Sequence, residues 1–343
     1  MNFNEIHPLY LKEIKERDFP NKHASMQIIT HDDMDGYASA AVVYHAFLNA
    51  GIISKNSCSI NHYNYSDKIP TINQDAEIVF ITDYSISNEA FMNDLLDTFK
   101  SGKIKLFWCD HHATSIDNCK DKYEVLKKID GIRDTEYCGA ALAWFFLNPG
   151  KKQLPSFLTL VDDFDCWKNK IPESDYLNYA FNYNSDMRPI FSNPKNGFWN
   201  DWINKDKPIE KILKYGKHFK EVMEDFDHAN IRRNGFIGVL DKFPKIKMIC
   251  LCNDSKGSQL FSDLLKSKDN PDGKYDYACA FQYDGSKFSV SIYSNDNASP
   301  NAQNICEAYG GGGHPGAAGC FVSGTLDQVK NKVLDVAIHG LKK

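Results

Sequence analysis

Residues 105–114 read Lys105-Leu106-Phe107-Trp108-Cys109-Asp110-His111-His112-Ala113-Thr114. The apolar run reads as a buried strand, and it stops at a carboxylate followed by two histidines. Such groups are costly to bury and serve something charged. Two upstream runs end in the same way. Ser25 to Thr30 leads into His31-Asp32-Asp33-Met34-Asp35-Gly36, and Ala76 to Thr82 leads into Asp83. Between them lie helical segments, a small-residue one from Tyr37 to Asn49 and another from Asn88 to Phe99, stopped by Gly102. Strand alternating with helix at this spacing predicts βαβ units and a parallel sheet. Ligands of open α/β sheets bind just beyond the carboxyl ends of the strands. The three acidic groups are therefore predicted to converge.

The chain has 343 residues, 42% of them hydrophobic and 13% aromatic, enough for real cores and roughly two domains. A net charge of −5 argues against a strongly basic duplex-binding surface. It leaves room for a metal site that takes a short anionic ligand, because bound cations reverse the local sign. The ten cysteines form no C-x-x-C pair, which argues against a zinc knuckle. Several sit in apolar runs, as free thiols of a reducing cytoplasm do. The first residues carry no secretory signal pattern, and no apolar stretch reaches the roughly 20 residues of a membrane helix. The expected location is cytoplasmic, with no membrane partner.

The fold class expected is α/β, a doubly wound, mainly parallel N-terminal sheet with a smaller C-terminal mixed α/β domain. Residues 1–24 form a helical lead-in, with helical spacing over 3–18 closed by Pro20. Residues 25–205 form the catalytic domain, 206–234 a helical connector and 235–343 the second domain. Within the first, Gly139 to Leu147 reads as a buried helix, and Phe157 to Trp167 carries Asp162, Asp163 and Asp165. Residues 171–205 have no clear period and are read as a cover or a homodimer contact. In the second domain, 236–240, 245–252, 275–283 and 287–294 are strand-like, and Asp284-Gly285 signals a hairpin. A strand from Cys320 to Ser323 and a helix from Leu326 to Leu341 follow the run Gly310-Gly311-Gly312-Gly313-His314-Pro315-Gly316.

Crowded carboxylates repel and raise one another's pKa, so the strand-end cluster needs compensation. Two divalent cations supply it, and mixed Asp and His ligands suit Mn²⁺, with Mg²⁺ or Co²⁺ as alternatives. A metal pair about 3.5–4 Å apart clamps the attacking and leaving oxygens of a phosphoryl group. Plainer readings exist for each part. Asp32 to Asp35 can be a turn and helix cap, Asp83 a cap of the segment after it, and the Asp162–Asp165 run a solvated helix face. The glycine run can be a flexible loop, or a nest of backbone N–H groups that binds an anion with His314 adding a donor.

Asp110-His111-His112 and Gly310 to Gly319, in this order and separation, resemble the DHH phosphoesterase superfamily, in particular RecJ-like and oligoribonuclease-like members with a C-terminal DHHA1 domain. The resemblance spans roughly residues 25–325. It implies two Mn²⁺ ions at a cleft between the domains and hydrolysis of phosphoric ester or anhydride bonds. It implies His31 and Asp33 as ligands of one metal, Asp35 and His111 as ligands of the other, and Asp83 as a bridge. It implies that Asp110 orients a histidine and that His112 meets the substrate phosphate. Asp163 matches the family's fourth aspartate, with Asp162 as the alternative one residue away. Gly311, Gly312, Gly313 and His314 are implied to grip the terminal nucleotide. Two departures stand out. His31 precedes Asp33 by two residues where many members have four, and Ser291-Ile292-Tyr293-Ser294 stands where many carry an arginine. Tyr293 is read as a residue that stacks on a base.

The expected function is a metal-dependent phosphodiesterase that cleaves short single-stranded oligonucleotides or dinucleotides to mononucleotides with a two-metal-activated water. The alternatives are an inorganic pyrophosphatase or polyphosphatase, a cyclic-dinucleotide phosphodiesterase, a phosphoadenosine-phosphate phosphatase, and a silent nucleotide-binding regulator.

Overall fold

Three of the strands expected from sequence lie side by side with a fourth in a computed structural model that describes residues 10–64, 68–183, 191–252, 258–261, 264–266, 273–283, 287–295 and 297–323. The expected lead-in is described from residue 10 onward, as α1 (Tyr10–Asp18), and α4 (Ala113–Asn118) follows directly on Asp110-His111-His112. The Asp284-Gly285 turn and the helix expected at Leu326 to Leu341 lie outside the described residues. The chain divides into two units, Met1–Lys220 and Glu221–Lys343. The division falls within the helix Glu210–Asn234.

The first unit is built on β1 (Met26–His31), β2 (Cys58–Tyr63), β3 (Ile78–Thr82) and β4 (Lys105–Cys109). Their order is β2-β1-β3-β4, and every pairing is parallel. Alternate residues face opposite sides, as the two-residue period of a strand requires. Ile28, Phe80 and Phe107 face one side, where they pack with α2 (Met34–Asn49), α5 (Gly139–Leu147) and α6 (Ser156–Asp165). Ile29, Val79, Ile81, Leu106 and Trp108 face the other, under α3 (Glu89–Ser101). The sheet is thus buried on both faces and doubly wound, which explains why β3 and β4 read as continuous apolar runs.

Packing on the first face is dense. Phe80 and Phe107 stack with centroids 5.4 Å apart, and Phe47 of α2 meets them edge-on at 6.1 and 5.8 Å. Small residues, among them Ala38, Ala40 and Ala41 of α2 and Ala140, Ala141 and Ala143 of α5, let these helices sit close to the sheet and to each other. The limits of α3 follow from local chemistry. The Asn88 side chain accepts from Ala90 N and Phe91 N, and Gly102 closes the helix at φ 62.

Two features of this unit differ from the sequence expectation. The edge strand β2 was not expected, and only its first residue, Cys58, is buried. An edge strand need not show apolar alternation, so it left no pattern. Residues 171–205 contain α7 (Pro172–Tyr183) and a short helix, Gly197–Asn204. The second buries Trp199 and Trp202 against Phe157 and Phe191. Eight residues are too few to display a helical period.

The second unit holds a six-stranded mixed sheet, in the order β5-β6-β7-β8-β10-β9. The strands are β5 (Phe236–Val239), β6 (Lys247–Cys252), β7 (Tyr277–Tyr283), β8 (Lys287–Ser294), β9 (Gly312–Gly313) and β10 (Ala317–Ser323). Among the described residues of this sheet, only β6 and β7 pair in parallel. A short helix, Ala302–Glu307, covers one face with Ile305 and Cys306. All ten cysteines are free thiols.

Candidate metal centre

Beyond the last residues of β1, β3 and β4 the parallel ladder continues as a row of backbone bonds. His31 N donates to Asp83 O at 3.2 Å, Asp83 N to Cys109 O at 3.0 Å, and Asp110 N to Ile132 O at 3.1 Å. This row brings the three acidic strand ends together.

Asp33 is the N-cap of α2. Its Oδ1 accepts from Gly36 N at 2.8 Å, and its Oδ2 lies 2.7 Å from His31 Nδ1. The helix-cap reading and the site reading are thus both true of this residue. Gly36 is obligatory, because a Cβ there would stand 2.0 Å from the His31 carbonyl oxygen. Asp35, in the first turn of α2, is buried and points at the start of α5. Its carboxylate accepts from Gly139 N at 2.6 Å and from Ala140 N at 2.8 Å. The positive end of a helix suits an anion there. A side chain at Gly139 would collide with Asp83 Cβ at 2.4 Å, so only glycine lets α5 approach this closely.

Asp83 is 1% exposed and holds φ at 48°, a left-handed conformation that costs a non-glycine residue about 1–3 kcal/mol. Its Oδ1 lies 3.2 Å from His111 Nε2, and its Oδ2 is a buried oxygen with no hydrogen-bond partner among the described residues. The same His111 nitrogen is 3.3 Å from Asp165 Oδ2 and 4.0 Å from Asp35 Oδ2. His112 turns the other way. Its Nδ1 is 2.8 Å from Asp110 Oδ1, so the fully buried Asp110 holds the imidazole in place.

The electrostatics show the strain of this arrangement. Burial, then Asp35, Asp33 and Asp165, push the Asp83 carboxyl well above its ordinary range. Burial and Asp35 push Asp165 up to about 8. Asp35 is raised by burial too, with His111 opposing. Burial alone would lower both histidines, but neighbouring carboxylates prevail. His111 is raised, chiefly by Asp165 and Asp35, and His31 is raised to about 9, chiefly by Asp33. Asp33 opposes its own burial through His31 and is lowered.

These donors fit divalent cations. Ligand atoms of Asp83, His111 and His112 lie within 4.8 Å of one another, as do those of His31, Asp33 and Asp83 and those of His111, Asp165 and Cys166. The orphaned Asp83 Oδ2 and the raised carboxyls are what a bound cation would relieve.

The aspartate run on α6 requires a correction. Asp163, the expected ligand, points away from the centre. Its carboxylate accepts from Lys170 N at 3.0 Å, Ile171 N at 3.1 Å and Ser174 Oγ at 2.8 Å, and so ties the end of α6 to the start of α7. Asp162, the alternative, accepts from Cys138 N at 3.0 Å and Lys168 Nζ at 2.5 Å. Asp165 faces His111. On a helix each residue turns about 100°, so positions 162 and 165 share a face and 163 does not. A second signal was present in sequence. Asp165 ends α6, where the helix dipole disfavours a carboxylate unless a cation offsets it.

The second unit also departs from expectation. Tyr293 cannot offer its ring to a base. It is 5% exposed and packs with Phe261, Ile249 and Leu251, and burial raises its phenol to about 12. The alternation of β8 sends Ile292 to one core and Tyr293 to the other. The glycine run is not an open nest. Gly310 N donates to Glu307 O, Gly311 N to Cys306 O and His314 N to Ala317 O, while Gly312 and Gly313 pair with β10. Its glycines answer a packing demand. A Cβ on Gly311 would meet Gly319 O at 2.1 Å, and Gly313 holds φ at 145°. His314 is half-buried at the resulting turn.

Residues 25–161 match the DHH family, N-terminal domain. Over 323 residues the chain is 25% identical to the oligoribonuclease NrnB of Bacillus subtilis, an alignment covering 86% of this chain and 72% of that one. It is 26% identical over 221 residues to an uncharacterised protein of Acanthamoeba polyphaga mimivirus, covering 63% of this chain and 47% of that protein. The chain thus spans about half the length of the viral relative. A solved structure described as the DHH domain of a member of the s1p family of ribosomal proteins shares the fold, with a TM-score of 0.55 at 12% identity, covering 90% of this chain and 85% of that one. The stretch that matches the DHH family, N-terminal domain, carries the strand ends on which Asp33, Asp83 and His111 converge.

Proposed function

We propose that the chain is a divalent-metal-dependent phosphodiesterase that releases mononucleotides from short oligonucleotides or dinucleotides. The observation that carries this reading is the His111 Nε2 position, within 4.0 Å of three carboxylates, one of which keeps a buried oxygen unpartnered. The name of the B. subtilis relative, an oligoribonuclease, supports the substrate class.

His31, Asp33 and Asp83 would hold one cation, and Asp35, Asp83, His111 and Asp165 a second, with Mn²⁺ suited to this mixture of oxygen and imidazole donors. Bound there, such cations supply Lewis acidity and an activated water near neutral pH. The protein's own groups do the rest. Asp110 holds His112 through Nδ1, so that the opposite nitrogen is set to meet a substrate phosphate oxygen. Asp35 is locked by the α5 amides and keeps its oxygens in register.

Asp83→Ala tests the assignment. Mn²⁺-dependent release of mononucleotides from a short RNA should fall to background, and an unaffected rate would refute the reading.

A further inference from the structure

Beside His111 the centre has a donor of a different kind. Cys166 follows Asp165 directly and caps the C-terminus of α6. Its Sγ forms, with one atom each of His111 and Asp165, a group whose members all lie within 4.8 Å of one another. The thiol is aimed by a hydrogen bond to Asp162 Oδ1 at 3.7 Å. Asp162 is itself anchored, by Cys138 N at 3.0 Å and Lys168 Nζ at 2.5 Å. The sulfur thus sits on a braced support at the edge of the carboxylate cluster.

We propose that Cys166 is a sulfur ligand, and that the His111–Asp165–Cys166 corner takes up Zn²⁺ in preference to Mn²⁺ or Mg²⁺. The proposal rests on the metal-centre reading above. Imidazole, carboxylate and thiolate are the donors that zinc combines in four-coordinate sites, at about 2.0–2.3 Å from the ion. Mn²⁺ and Mg²⁺ favour sites richer in oxygen and gain little from sulfur. A fourth donor is at hand, because Asp83 stands 3.2 Å from the same His111 nitrogen and keeps Oδ2 unpartnered. When the metal–sulfur bond forms, the thiol proton leaves to solvent, and nothing is oxidised or reduced. The corner shares His111 and Asp165 with the second cation of the proposed enzyme. Zn²⁺ and Mn²⁺ therefore compete for it, and Cys166 tilts the competition toward zinc.

Co²⁺ is the probe, since a thiolate ligand gives it a charge-transfer band in the near ultraviolet. The metal-free wild-type protein titrated with Co²⁺ should develop that band. Cys166→Ser should lack it, and Cys138→Ser, which removes a buried thiol beside Asp162, should retain it. Zn²⁺ should erase the band and should bind Cys166→Ser at least about tenfold more weakly, the lower end of the loss seen when even outer partners of a metal site are removed. Mn²⁺ affinity should be the same in both proteins. Co²⁺ bound without the band, or a band that survives Cys166→Ser, would overturn the sulfur ligand and leave the metal centre standing. Calorimetry that finds no Co²⁺ or Mn²⁺ bound at all would overturn the centre itself.

Discussion

The strand ends of the first sheet and the glycine run of the second are equally distinctive in sequence, yet the fold treats them in opposite ways. At the strand ends polar groups converge and stay under-satisfied. Asp83 Oδ2 and Asp110 Oδ2 are buried without hydrogen-bond partners among the described residues, and Asp83 and Asp165 are pushed toward their neutral forms. In the glycine run the amides of Gly310, Gly311 and His314 are spent on nearby carbonyls. The lesson is that a conspicuous motif is not yet a site. Buried polar atoms left wanting a partner mark where a ligand belongs, and satisfied ones mark where the backbone had to pass closely.

The largest expected effect would break this contrast at Asp83. Asp83→Asn should abolish metal-dependent hydrolysis and, against the usual trend for buried residues, raise the melting temperature of the metal-free protein. Relieving a crowded, unsatisfied buried carboxyl, worth about 1–3 kcal/mol, should shift it by several degrees. If the metal-free Asp83→Asn protein melts below wild type, the orphaned oxygen has a partner in solution.

Next come the neighbouring aspartates of α6. Asp165→Ala should weaken Mn²⁺ binding with little loss of fold. Asp163→Ala should keep the metal affinity and lose about 1–3 kcal/mol of stability by stranding the amides of Lys170 and Ile171. Denaturant melts and Mn²⁺ titrations of the pair would reverse the assignment if the two phenotypes were exchanged.

Gly311→Ala sharpens the comparison from the other side. Its Cβ would press on the Gly319 carbonyl, so the second unit should lose about 1–3 kcal/mol. Mn²⁺ binding to the first unit should be unchanged, and a large loss of affinity would make the glycine run part of the centre.

The smallest effect is pH-dependent. Asp165 has its pKa raised to about 8, and Asp83 and Asp35 are raised as well. A raised carboxyl binds its proton more tightly in the folded state. Its contribution to stability is complete below the unfolded value, near 4, and is lost as pH rises through about 8. His31, raised to about 9, acts in the same direction, complete below about 6.5 and lost through about 9. The gain in melting temperature on adding Mn²⁺ should therefore grow between about pH 6 and about pH 8. A gain that stays flat or shrinks over that range would contradict these shifts.

Much of the first unit was legible in sequence because its signals are local. Buried parallel strands read as apolar runs, α3 shows both caps, and each strand stops at the residue it delivers. The edge strand β2 and the helices between 171 and 205 were not legible, since partial burial and short length erase the period.

Residue chemistry and short-range spacing by themselves determined the α/β class, the strands β1, β3 and β4, and the convergence of Asp33, Asp35, Asp83 and His111. Only the tertiary structure decided which aspartate of α6 faces the centre, that Tyr293 is core, and that Cys166 stands at the edge of the ligand set. Each of those depends on the rotation of a helix or the face of a strand against its neighbours. The physical reason is that packing selects one orientation from several that the local sequence allows equally.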